Sequence, residues 1–105
     1  MRLATLLALA ALLALPATAQ TAYTLTGRVV EAETGTPVVA ASVLLEGTTA
    51  GAATDIDGRF SISAAVPAGS YTLRTSFVGY QSDRRPVALG NARTVEFGTI
   101  EITTD

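Results

Sequence analysis

After residue 20 the apolar residues of this chain never settle into a sustained helical spacing. They recur at every second position, in short runs closed by Gly, Pro, Asn or Asp. Period two is the signature of a strand with one buried face, so the building blocks are strands and not amphipathic helices. Tyr23, Leu25, Gly27 and Val29 share one face of the first run, with Thr24, Thr26 and Arg28 on the other. Glu33-Thr34-Gly35-Thr36-Pro37 reads as a turn, because Gly accepts a positive φ and Pro sets the exit. Ala41, Val43 and Leu45 share a face of a second strand that stops at Gly47, and Gly51 to Thr54 forms a short third. Arg59 to Ala65 is the fourth, with Phe60 and Ile62 inward. Ser70 to Tyr80 is the longest, with Tyr71, Leu73, Thr75 and Phe77 on one side.

Gln81 to Leu89 is a weaker strand. Its Asp83-Arg84-Arg85-Pro86 segment reads as a sheet edge, since Pro cannot donate to a ladder and charge discourages pairing. Gly90-Asn91 turns the chain into a last strand, Arg93 to Thr103. The apolar parity there switches from Val95 and Phe97 to Ile100 and Ile102, which predicts a β-bulge near Gly98. Seven short strands with a turn about every 8–12 residues predict an all-β, two-sheet sandwich, with a closed barrel as the alternative. The strongest turn signal lies in Asp55-Ile56-Asp57-Gly58-Arg59-Phe60-Ser61-Ile62, where Asp-Gly between strand formers predicts a hairpin with φ > 0 at both central residues.

The first 19 residues have a different character. Arg2 precedes a Leu/Ala run from Leu3 to Leu15, Pro16 breaks it, and Ala17-Thr18-Ala19 is a small-residue cleavage site. This is the pattern of a secretory signal peptide cleaved before Gln20, and the run is short of the roughly 20 apolar residues that span a bilayer. Residues 20–105 then form one small domain with a single core. No transmembrane helix is expected in it. It carries six Arg, no Lys and nine Asp plus Glu, a net charge of −3 with no basic patch. Nucleic acid and anionic lipid are poor partners for such a surface. There is no cysteine. An exported chain could hold disulfides, but this one must rest on its core alone.

Histidine, lysine and cysteine are all absent, which removes Ser-His-acid, Ser-Lys, Schiff-base and thiolate chemistry. Asp55 and Asp57 could formally pair as hydrolytic carboxylates, but two residues apart at a turn they face solvent, where nothing shifts a pKa. The same acids resemble the middle of an EF-hand loop. Aligning Gly58 with the loop glycine places Ala53 and Ala64 where the first and the bidentate ligands belong, and neither binds calcium. The sequence therefore predicts no catalytic residue, no metal and no cofactor. Asp57-Gly58 is expected to form the turn, and Asp55 to bond its own backbone two residues on. Tyr23, Phe60, Tyr71, Phe77 and Phe97 are expected in the core, and Tyr80, after Gly79 at a strand end, partly exposed. Tyr80, Arg84 and Arg85 are the candidate interaction surface.

Six segments follow one another in a recognisable register: Gly27-Arg28-Val29-Val30, Thr34-Gly35-Thr36-Pro37-Val38, Ala41 to Thr48, Thr54-Asp55-Ile56-Asp57-Gly58-Arg59-Phe60, Gly69 to Leu73, and Ser76 to Tyr80. Together they resemble the carboxypeptidase regulatory-like domain, from about Tyr23 to Ile102. The resemblance implies a seven-stranded Greek-key, transthyretin-like (prealbumin-like) β-sandwich in which Thr54, Asp55, Asp57, Gly58 and Phe60 form a structural signature. It implies a non-catalytic folding or interaction module, periplasmic or outer-membrane associated, of the kind found ahead of the plug and barrel of TonB-dependent outer-membrane receptors. Its expected partner is a protein of the cell envelope such as a receptor barrel. No plug, barrel or TonB-contacting segment is read before Asp105, so the chain is expected to be a free-standing module or the leading part of a receptor. A small glycan- or ligand-binding domain, and a regulatory domain for a separate carboxypeptidase, are the alternatives.

Overall fold

A computed structural model describes residues 21–105; the leader expected over residues 1–19 lies outside the described residues. Seven strands follow in order: β1 (Thr21–Glu31), β2 (Ser42–Leu45), β3 (Gly51–Ala53), β4 (Arg59–Val66), β5 (Gly69–Ser76), β6 (Asp83–Leu89) and β7 (Thr94–Ile102). They form two sheets, β4-β1-β7 and β3-β2-β5-β6. The architecture is the all-β sandwich that the alternation predicts, and not the closed barrel.

Alternation sets the core directly. Leu25, Val29, Ile62, Ile100 and Ile102 line the inner face of the three-stranded sheet, while Val43, Leu45, Leu73, Val87 and Leu89 line that of its partner, all of them buried. Full burial of each such side chain contributes about 1.5–3 kcal/mol, offset by conformational entropy. With no disulfide, this layer carries the fold. Tyr23 is buried beside it, and its hydroxyl donates to the Gly90 carbonyl at 2.9 Å.

Sequence neighbours are seldom sheet neighbours. Only β2–β3 and β5–β6 pair as consecutive strands; β1 pairs antiparallel with β4 and parallel with β7. The Asp57-Gly58 turn is therefore not a hairpin within one sheet, because β3 and β4 lie in different sheets and the turn carries the chain across the sandwich. Its geometry differs accordingly. Gly58 has φ +76°, but Asp57 is not in the positive-φ region that a primed hairpin turn requires.

Two further strand expectations need correction. β5 ends at Ser76, so β1 and not β5 is the longest strand, and Phe77 lies beyond the parity that put it in the core. It is 36% exposed, because the chain turns there, with the Tyr80 amide donating to the Phe77 carbonyl and Gly79 at φ +88°. The parity switch in β7 is a bulge as expected. Thr26 faces Glu96 and Arg28 faces Thr99, so Phe97 and Gly98 together oppose Gly27, with Gly98 at φ +67°.

Thr75 lies on the core face of β5, fully buried, and its Oγ1 has no hydrogen-bond partner among the described residues. A buried hydroxyl without a partner costs more than a methyl of the same shape. Thr75→Val should therefore leave the fold intact and raise its stability by about 1 kcal/mol, read as a higher urea midpoint at unchanged m. A lower midpoint would show that the hydroxyl is satisfied.

Candidate functional site

The register places the end of β1, the start of β2, the end of β3, the start of β4 and the end of β5 together at one end of the sandwich. Segments 32–41, 54–58, 77–82 and 103–105 cap that end. Thr54 holds its centre. Its amide donates to the Ala41 carbonyl and its carbonyl accepts from the Ala40 amide, both at 3.0 Å. Its Oγ1 accepts from the Ala41 amide at 2.8 Å and donates to the Val38 carbonyl. Thr54 is 5% exposed, so these four bonds satisfy a buried corner that no solvent could reach. They also hold Ala40 at φ +65°, the one positive-φ residue other than glycine among those described.

The rest of the expected signature is gathered at the same corner. Asp55 Oδ1 accepts from the amides of Asp57 and Arg59, each at 2.9 Å, which is the Asx turn expected of its side chain. Asp57 takes part through its backbone: its amide donates to Asp55, and its carbonyl accepts Arg28 Nε at 3.0 Å. Gly58 is buried, and its carbonyl accepts the Val29 amide at 2.7 Å. A Cβ there would meet the Val29 carbonyl oxygen at 2.5 Å, so close approach and positive φ both demand glycine. Phe60 is 4% exposed opposite Gly27, where a Cβ would lie 2.7 Å from its ring. The ring packs beside Phe97 at 6.4 Å between centroids. Among the described residues no three acidic side chains are grouped to hold a metal ion.

Tyr80, Arg84 and Arg85 do not form one cluster. Tyr80 sits at the capped end, its hydroxyl donating to Glu31 Oε2 at 3.0 Å and its ring 5.8 Å from that of Phe77. The bond to the Glu31 carboxylate, ahead of desolvation and the charges of Glu31 and Glu33, holds its phenol above the usual range. Arg84 and Arg85 lie on β6, an outer strand, and consecutive residues point to opposite faces. Arg84 pairs with Glu46 and Arg85 with Asp83, both at 2.9 Å. Asp83 and Arg85 occupy the core-facing parity of β6 ahead of buried Val87 and Leu89. Inward charge beside Pro86 is a device that keeps an edge from pairing.

Sequence parity missed what else the capped end displays. Val39, Ile56, Phe77 and Val78 are the large apolar side chains exposed among the described residues, and all four belong to its loops. Ala40, Ser42, Ser76, Phe77 and Val78 line a shallow groove there. The available signal was Val-Gly after a strand former: Gly79 ends the strand early and turns Phe77 and Val78 outward.

The corner yields two predictions on stability. Gly58→Ala combines left-handed strain with contact against backbone, and should cost about 2–4 kcal/mol in chemical denaturation. Thr54→Val keeps the shape but strands the Ala41 amide and the Val38 carbonyl, and should cost about 2 kcal/mol, most of it recovered in Thr54→Ser. Equal losses for Val and Ser would assign the effect to packing instead.

A model of the CarboxypepD_reg-like domain matches residues 25–103. Over 60 residues the chain is 45% identical to the TonB-dependent receptor SusC of Bacteroides thetaiotaomicron, a match covering 57% of this chain and 6% of that protein. The chain thus spans a small fraction of the length of the curated relative it matches. Among solved structures, a chain of a type II Cohesin-X-Dockerin complex from Acetivibrio cellulolyticus superposes with a TM-score of 0.63 at 27% identity, over 78% of this chain and 58% of that one. The 5-hydroxyisourate hydrolase of Klebsiella pneumoniae shares the fold, with a TM-score of 0.58 at 23% identity over 79% of this chain and 91% of its own. The family is of a regulatory, non-catalytic type. Its match runs from Leu25 within β1 to the residue after β7 and includes all or most of every strand, so the chain belongs to the CarboxypepD_reg-like domain family.

Proposed function

We propose that this chain is an exported, non-catalytic β-sandwich module that works by protein–protein contact in the cell envelope, as the N-terminal extension of a TonB-dependent receptor-like protein. The 45% identity to SusC carries this reading. The leader-like composition of residues 1–19 supports export. The likeness to a chain from a Cohesin-X-Dockerin assembly supports contact with other proteins as the working mode. Absence of His, Lys and Cys from the chain supports a non-catalytic role despite the hydrolase that shares its fold. The signature residues Thr54, Asp55, Asp57, Gly58 and Phe60 serve architecture in this reading, and Tyr80, at the capped end, belongs to the contact surface.

The test is in-cell photocrosslinking from exposed positions of the full chain, followed by fractionation and identification of crosslinked species. A discrete envelope protein should be captured, and the purified chain should leave 5-hydroxyisourate unhydrolysed. Retention in the cytoplasm, or turnover of that substrate above buffer, would sink the proposal.

A further inference from the structure

We infer that the capped end is the contact surface, and that its occupant is a protein segment presenting an apolar face flanked by Lys or Arg. The inference rests on the protein-contact reading above and locates it. Ile56 and Val78 are 80% and 92% exposed, and Val39 is 48% exposed. Apolar side chains this open, gathered at one end while the core layer is closed, mark an interaction site. Thr54 ties the loop bearing Val39 to the turn bearing Ile56, and Ala40, the residue after Val39, lines a groove with Phe77 and Val78. The strained φ of Ala40 lies in this groove. Such strain persists where surrounding structure over-determines the backbone, and it clusters at binding sites.

Charge decides the occupant. All acidic residues except Glu46 and Glu96 fall at this end. Glu33, Asp55, Asp57, Glu101 and Asp105 are exposed around it, and none of them is in an ion pair among the described residues. Three arginines lie near: Arg85 is paired with Asp83, Arg28 is turned to the Asp57 carbonyl, and exposed Arg59 opens β4 beside Arg28, which leaves this end with more acidic than basic side chains. A second copy would bring the same acidic rim face to face, and an anionic bilayer would be repelled. A basic, apolar-faced polypeptide satisfies both the rim and the patch. The β6 edge is a weaker candidate, because its charges are paired and Pro86 interrupts its donors.

The experiment titrates the isotope-labelled full chain by NMR with two synthetic peptides of one apolar pattern, one flanked by Lys and the other by Glu. Amide shifts should concentrate at residues 39–42, 54–56 and 76–80. The Lys peptide should bind about tenfold more tightly than the Glu peptide, and its affinity should fall as salt rises. Val78→Ser and Phe77→Ser together should weaken it by roughly tenfold while leaving the thermal melt unchanged. Equal binding of both peptides, shifts centred on residues 83–89, self-association in sedimentation, or binding to phosphatidylglycerol vesicles would each overturn the inference. An envelope partner whose crosslinking survives the double substitution would overturn this surface and leave the protein-contact reading standing. Failure to capture any partner with the unmodified chain would remove that reading instead.

Discussion

The sandwich depends on how the chain crosses between its sheets, and one corner carries the most constrained crossing. Between Ala53 and Arg59 the backbone leaves the four-stranded sheet and enters the three-stranded one. A crossing exposes backbone donors and acceptors in a region closed to water, where each unpaired group costs about 1–3 kcal/mol. Thr54 answers this on one side by bonding Val38, Ala40 and Ala41. Gly58 answers it on the other by pressing its backbone against β1. Asp55 closes the turn between them. At Gly58 a larger side chain has no room, and at Thr54 an apolar one leaves bonds unmade.

Once that corner is set, the remaining features follow from packing. Gly27 leaves space for Phe60 across the β1–β4 pair, and the bulge at Phe97–Gly98 lets β7 change parity beside it. The parity change lets Ile100 and Ile102 close the core, which Val95 and Phe97 cover only in part. The open strand β6 is guarded by inward charges and by Pro86. The proposed contact surface is instead an end of the sandwich, where loops escape the alternation rule.

Much of this was legible in the residues. Alternation gave the strands and the buried face of each. Parity in β7 gave the bulge, since one extra residue is the only local way to flip a face. The Asx role of Asp55 followed from side-chain length. Phe77 was misread because periodicity was extended past the residue where the strand stops, although Gly79 marked the turn. The exposed apolar end was not legible, because Val39, Ile56, Phe77 and Val78 are scattered over three loops. No local pattern reports that distant loops share an end.

The sequence by itself determined an all-β chain, its one-sided strands, its turn positions and the chemistries it lacks. These depend on local backbone preference and on side-chain identity, which are properties of neighbouring residues. Tertiary structure alone decided strand partners, and with them the conversion of an apparent hairpin at Asp57-Gly58 into an inter-sheet corner. It also decided that charge and exposed apolar surface meet at one end. Partner choice is a competition among non-local pairings, settled by which arrangement buries both apolar faces and leaves no backbone group unpaired.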